Sequence, residues 1–441
     1  MDFRGGDILT PAMELGEMGQ TGESASSLSI NAERLISDFE ELRQIGRLPT
    51  GGLGRASFSP ADGEAREWFF GRCADAGLTV RTDGIGNIMV SSPAIDPAIA
   101  GLAPVWAGSH IDAVPNGGAF DGPLGVLAAL ECLRRIHEEG IQLERPVQCV
   151  IYADEEGNYS HLLGSSALAR GFTREELESM TGRDGDQFVE TFAAVGGSVE
   201  DALGVTLAPG AVHATVELHI EQGPLLEQRN EQIGVVSGIV ALGGGVVTFL
   251  GRADHAGTTP MRLRKDASIA AGALLVALPA VAAAVSERAV VTSGIIAVEP
   301  GASNVIPGSA QVTVDFREPD AEALEALEAG IIRASEGIAA QYGLTVEFDF
   351  GVPIAPSPMD EGIRAIISAA AEGRGLAWSA LPSGAGHDSQ NMATIAPTGM
   401  IFVPSIGGRS HCPEENTAWA DVENGANVLL DTVIHLARRS L

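Results

Sequence analysis

Strand-like and helix-like stretches alternate along the first half of this chain, and that order limits its fold more than any single residue does. Asn31–Arg43 has helical spacing behind Asn31, a natural N-cap, and Ser59-Pro60-Ala61-Asp62 opens a second helix running to about Ala76, ended by Gly77. Leu78–Arg81 and Gly86–Val90 read as strands, Val105–Ala107 and Val147–Ala153 as inner strands, and Pro123–Glu139 as a helix between that last pair. The run from Val147 is apolar and β-branched enough to be buried on both faces. Such an order predicts an α/β sheet whose functional groups sit at strand ends.

Between about Val240 and Pro356 the order changes. Gly245–Gly251 reads as a strand, Lys265–Ser286 as a helix, Val290–Val298 and Ala310–Arg317 as strands, Ala321–Tyr342 as a helix and Leu344–Phe350 as a strand. This β-α-β-β-α-β sequence is the ferredoxin-like split arrangement. At 441 residues the chain exceeds what one core usually holds. The expected division is therefore a tail over 1–27, a first domain in two pieces, 28–239 and 357–441, and an insert over 240–356.

Chemistry concentrates where the strands end. Gly108-Ser109-His110-Ile111-Asp112-Ala113-Val114-Pro115 follows the run Ala103–Ala107, and Asp121 stands nine residues after Asp112 in Phe120-Asp121-Gly122. His-x-Asp at a strand end suits a metal ligand whose second ring nitrogen is held by a carboxylate. A loop of ordinary polar residues is the competing reading of this segment alone. Three further segments favour the metal. Val147–Ala153 ends in Asp154-Glu155-Glu156, three adjacent acids that repel one another without cations. Val212–Glu221 alternates, with Glu217, His219 and Glu221 on one face. Ser410-His411-Cys412-Pro413-Glu414-Glu415 places another histidine after the apolar run Met400–Val403.

Together His110, Asp121, Glu156, His219 and His411 make a five-residue set for two cations sharing one carboxylate. Imidazole and carboxylate donors suit zinc first, with manganese, cobalt or nickel as alternatives. Glu155 is the natural general base, because a metal lowers the pKa of water from about 15.7 toward roughly 7. His137, His161, His213 and His435 read as surface or structural residues.

At this point the chain resembles the dinuclear-metal amidohydrolases that include N-carbamoyl-L-amino-acid hydrolases, β-ureidopropionases, allantoate amidohydrolases and ureidoglycolate hydrolases, relatives of the aminoacylase and dipeptidase metallopeptidases. The resemblance spans about Ala32–Ala437. It rests on Gly108–Asp112, Phe120–Gly122, Asp154–Gly157, His219-Ile220-Glu221-Gln222-Gly223-Pro224, Ala253–Met261, Asn304–Gly308, Asp315-Phe316-Arg317, Ser383-Gly384-Ala385-Gly386-His387-Asp388 and Ser410-His411, in family order. It implies a metallopeptidase-like α/β catalytic domain with a mixed sheet flanked by helices, plus an inserted ferredoxin-like α+β lid and dimerisation domain. His219, where the peptidase branches usually carry an acid, points to the carbamoyl and ureido branch.

The resemblance also implies roles. One cation would take His110, Asp121 and His219, the other Asp121, Glu156 and His411, giving two divalent ions per subunit. Asp112 would orient His110, Glu155 would be the base, and His255 would donate to the oxyanion, in its own subunit or its partner's. Arg317 would bind a substrate carboxylate, Asn304 would donate an amide, and Gln222, Gly386 and His387 would line the substrate site. The implied reaction releases an amino acid, ammonia and carbon dioxide from a small carboxylated ureido substrate. An aminoacylase or dipeptidase, and a silent metal-binding scaffold, are the other readings. One departure stands out: family members commonly carry an Arg-Phe pair and a slightly longer turn where this chain has Asn158-Tyr159-Ser160-His161-Leu162-Leu163.

Composition excludes other classes. A net charge of -31 is unsuited to nucleic acid, which needs basic surface. The apolar segment Ala270–Val285 is too short to span comfortably and reads as a helix, not a membrane anchor. Met1–Ser27 shows no basic-then-apolar signal pattern, so cytoplasmic residence is the expectation. Cys73, Cys132 and Cys149 read as buried thiols, and Cys412 as a residue bordering the pocket.

Overall fold

The computed structural model describes residues 28–92 and 96–438. The expectation for 1–27 lies outside the described residues.

A nine-stranded mixed sheet forms the larger layer. Its order is Thr79–Thr82, Ile88–Ser91, Val147–Tyr152, Val105–His110, Ala214–Ile220, Thr398–Val403, Ile233–Ile239 and Ser357–Pro358, with Trp378–Ser383 also paired to Ile233–Ile239. The four strands Val147–Tyr152, Val105–His110, Ala214–Ile220 and Thr398–Val403 run parallel. Ala214–Ile220 is buried at every position, so the alternation read from its sequence is an inner strand with two covered faces.

Helices cover the sheet for identifiable reasons. Ala32–Leu42 starts at Asn31, whose side chain accepts the Arg34 N–H, and Pro60–Asp75 starts at Ser59, which accepts from Asp62. Pro123–Glu138 begins directly after Gly122 and is buried along nearly its whole length. With Trp419–Arg438 it encloses a core that includes Leu124, Leu127, Leu218, Val403, Val428 and Leu429.

A second, antiparallel sheet lies between residues 241 and 350. Its order is Ile296–Glu299, Ser309–Glu318, Ala241–Leu250 and Thr345–Phe350, with Val290–Thr292 also on Ser309–Glu318. Ala267–Val285 and Ala321–Tyr342 pack on it around Phe249, Leu274, Phe316, Leu327 and Ile331. One expectation needs correcting. Val290–Val298 is not one strand but two, interrupted at residues 293–295, where Gly294 sits and Ile295 bonds to Thr313 through its backbone. Among the described residues one helix, Ala267–Val285, is long and apolar enough to cross a membrane by length and composition. Its Ala267, Ala270, Ala271, Leu274 and Leu278 are buried against the sheet.

Candidate metal centre

The parallel strands end on one side of the sheet, and their last residues converge. His110 closes its strand with Nδ1 donating to Asp112 O at 3.1 Å, which leaves Nε2 as the outward nitrogen. His219 closes the neighbouring strand in the same way, its Nδ1 donating to Ile220 O at 2.9 Å. Asp121 Oδ1 stands between them, 3.4 Å from His110 Nε2 and 3.1 Å from His219 Nε2. His411 approaches the other oxygen, with Nε2 3.3 Å from Asp121 Oδ2 and 3.8 Å from Glu156 Oε1.

The ligand atoms of His110, Asp121 and His219 lie within 4.8 Å of one another, as do those of Asp121, Glu156 and His411. His110 Nε2 and His219 Nε2 are buried without a hydrogen-bond partner, which such groups rarely tolerate. Two orphaned imidazole nitrogens facing a shared carboxylate are the donor set that divalent zinc-like ions prefer. The residues therefore fit two divalent cations, with Asp121 common to both ligand groups.

Supporting groups hold this geometry. Asp112 is buried and accepts the backbone N–H groups of Glu155 at 3.4 Å and Glu156 at 3.1 Å. Arg55, fully buried, donates to the carbonyls of Ile111, Leu42 and Ile45, fixing the chain beside Asp112. Gln222 donates to Asp121 Oδ2 at 2.6 Å. Asp154, Leu162, Gln222 and His411 all have positive φ (54°, 57°, 58°, 56°), a conformation costing non-glycine residues about 1–3 kcal/mol each.

Electrostatics follow from burial and crowding. Burial pushes Glu155 well above its usual range, and it lies 3.7 Å from His110 Nε2. Burial, with Asp121 beside it, pushes Glu156 up to about 7. Burial opposes ionisation of Asp121 too, yet the imidazoles of His219, His110 and His411 hold it well below the ordinary carboxylate range. The hydrogen bond to Asp121 lifts His411 to about 9.

A cavity of about 160 Å³ opens beside the cluster. It is lined by Asp121, Glu155, Glu156, Gln222, Arg317, Gly386, His387 and His411 among the residues singled out from sequence. His387 is buried, its ring 4.6 Å from that of His219, and its Nε2 meets Ser383 Oγ at 2.9 Å. Arg317 reaches the cavity but is already paired with Asp315, Nε to Oδ1 at 2.9 Å, and donates to Gly384 O at 2.7 Å. His255 and Asn304 are not among the lining residues. They are exposed neighbours on the second sheet's side of the molecule, where Ala256 N–H donates to Asn304 O.

Sequence reasoning missed three contributors. Glu415, buried, accepts the N–H groups of Phe120 and Asp121 and the Ser410 hydroxyl, binding the Asp121 loop to the His411 loop. Its signal was a carboxylate four residues beyond a candidate ligand. Glu217 lies beneath His219 and accepts from Ser109 and Ser389 at 2.7 Å each. His161, read as a surface or structural residue, lines the cavity.

The family model described as Peptidase family M20/M25/M40 matches residues 106–435. The chain belongs to that family and is a hydrolase acting on amide C–N bonds. It is 35% identical over 403 residues to an N-carbamoyl-L-amino-acid amidohydrolase of Paenarthrobacter aurescens, covering 90% of this chain and 97% of the relative. An allantoate amidohydrolase of Escherichia coli is 33% identical, over 90% of this chain and 96% of its own length. A crystal structure of an amidase of the hydantoinase/carbamoylase family from Burkholderia multivorans superposes with TM-score 0.86 at 34% identity, covering 94% of this chain and all of that one.

Proposed function

We propose that the protein hydrolyses a C–N bond of an N-carbamoyl (ureido) amino acid or a closely related small carboxylated amide, yielding an amino acid, ammonia and carbon dioxide. One observation carries the reading: Glu155, a buried carboxyl 3.7 Å from His110 Nε2, sits beside two orphaned imidazole nitrogens around Asp121 at the wall of a small cavity. The named activities of the relatives at 33–35% identity support the ureido class.

His110, Asp121 and His219 would hold one divalent ion and Asp121, Glu156 and His411 the other, zinc foremost. Bound there, such ions supply Lewis acidity and bring the pKa of water toward neutrality. Glu155 accepts the proton of the attacking water and returns it to the leaving nitrogen. Asp112 keeps the His110 ring in one tautomer and orientation. Gln222, Gly386 and His387 form the substrate wall, and the Arg317 guanidinium, whose planar fork matches a carboxylate, anchors the acid end by exchanging Asp315 for substrate.

The 240–356 segment is read as a ferredoxin-like lid inserted between 28–239 and 357–441, which its antiparallel strand order supports. His255 and Asn304, outside this chain's cavity, would serve the substrate after lid closure or in a partner subunit's site. Apolar side chains exposed on the same segment, Val276 at 82% and Ile296 at 51%, favour a homodimer through it. Cytoplasmic residence completes the reading.

The test is an ammonia-release screen with metal-reconstituted protein on N-carbamoyl-α-amino acids, N-carbamoyl-β-alanine, allantoate and ureidoglycolate, with N-acetyl amino acids alongside. Turnover of a ureido substrate is expected. Turnover of N-acetyl substrates alone would replace the reading with an aminoacylase.

A further inference from the structure

The segment that departs from the family pattern is a built turn. The Asp154 carboxylate accepts the backbone N–H groups of Asn158 at 2.7 Å, Tyr159 at 2.8 Å and Ser160 at 3.1 Å. Leu162 takes a left-handed conformation, and its N–H donates to Glu155 O at 3.0 Å. The turn therefore delivers His161 to the cavity wall in a fixed pose.

That pose sets the chemistry of the ring. His161 Nδ1 lies 2.8 Å from Glu155 O, and a carbonyl oxygen can only accept, so Nδ1 carries the hydrogen. Nε2 is left with its lone pair. Gln390 is also in the cavity wall. A Cβ added to Gly386 would lie 3.0 Å from His161 Nε2 and 3.0 Å from Gln390 Oε1. Both acceptors thus pack closely against Gly386, at one patch of the cavity wall. Neither atom has a hydrogen-bond partner among the described residues.

Two acceptors at one patch of the wall are satisfied together by a single atom bearing two hydrogens. A carbamoyl group ends in such an atom, its NH2, whereas an acetyl group ends in a methyl that donates nothing. At another part of the wall, Leu242 and Ile354 offer apolar surface and Arg317 a cation. Those suit the side chain and carboxylate of an amino acid.

We propose that His161 and Gln390 are the specificity pair that takes the terminal NH2 of a ureido substrate over Gly386. This rests on the ureido reading above and names the residues that distinguish it from N-acyl hydrolysis.

The experiment compares metal-loaded wild type with His161→Phe and Gln390→Met, using an N-carbamoyl amino acid and its N-acetyl counterpart. Where the acetyl compound is not turned over, its Ki as a competitive inhibitor is the readout. Each variant is expected to lower kcat/KM for the carbamoyl substrate about tenfold, the scale of one lost hydrogen bond, with the acetyl value changed less than about twofold. Gly386→Ala, whose Cβ would crowd both acceptors, is expected to do the same. An equal fall with both compounds would mean that His161 acts only by holding Glu155, and would overturn the proposal. Gln390→Met tests the pair from its other side should His161→Phe not fold. Loss of wild-type ammonia release is a separate result, which defeats the ureido reading itself.

Discussion

Asp112 Oδ2 accepts the backbone N–H of Glu156 at 3.1 Å, while Asp112 Oδ1 lies 3.5 Å from His110 Nδ1. One buried carboxylate thus lies against a candidate ligand on one strand and holds the acid pair at the end of the next. Asp112→Asn removes the charge and keeps the shape. Metal affinity is expected to fall about 10–100-fold, the usual cost of losing a partner behind a ligating histidine. Competition against a chromophoric chelator measures it, and an unchanged affinity would exclude this role.

Glu155→Gln separates proton transfer from metal binding. Its turnover is expected to drop by about 10²–10⁴, the range for a positioned acid–base group. Metal content per chain should stay at the wild-type value, because Glu155 is outside the two ligand groups that share Asp121. Full activity in this variant would remove Glu155 as the base.

The pH dependence of the chelator-treated protein follows from the raised groups. Glu156, pushed up to about 7, and His411, lifted to about 9, each bind a proton more tightly folded than unfolded. By linkage their stabilising contributions are complete below the unfolded pKa values, about 4.3 and 6.5. They are lost as pH rises, through about 7 for Glu156 and about 9 for His411. Melting temperature of the chelated protein should carry that downward contribution from about pH 5 to 9. Metal affinity should rise over the same window as the ions displace protons. Calorimetry in buffers of different ionisation enthalpy reads the released protons, and no release would contradict the assignment.

Gly122 follows Asp121 with φ +82°, and a Cβ there would lie 2.6 Å from His110 Nε2. Gly122→Ala therefore collides with the candidate ligand ring and strains the turn. The expected outcome is loss of metal binding together with a lowered melting temperature. Retention of both would show that the His110 ring can move at little cost.

Much of this was legible because strand ends are. His110, Glu156 and His219 sit where apolar runs stop, so an α/β sheet brings them to one edge, and Asp121 and His411 lie in loops returning to that edge. Glu415 was not legible, since its partners are backbone N–H groups whose positions only the folded loops define. His161 does lie at the surface, but nothing in Asn158–Leu163 reveals that Asp154 winds it back toward Glu155 and the cavity. The break in Val290–Val298 escaped for a related reason: a β-branched run continues on either side of Gly294, and the interruption is decided by pairing with Thr313.

The most direct measurement is the rate of ammonia release from an N-carbamoyl amino acid as zinc or manganese is titrated into chelator-stripped protein. The proposed two-ion site that shares Asp121 predicts a rate near zero without metal that climbs to a plateau at two equivalents per chain. An undiminished rate in the stripped protein, or a plateau insensitive to Asp121→Asn, would contradict it.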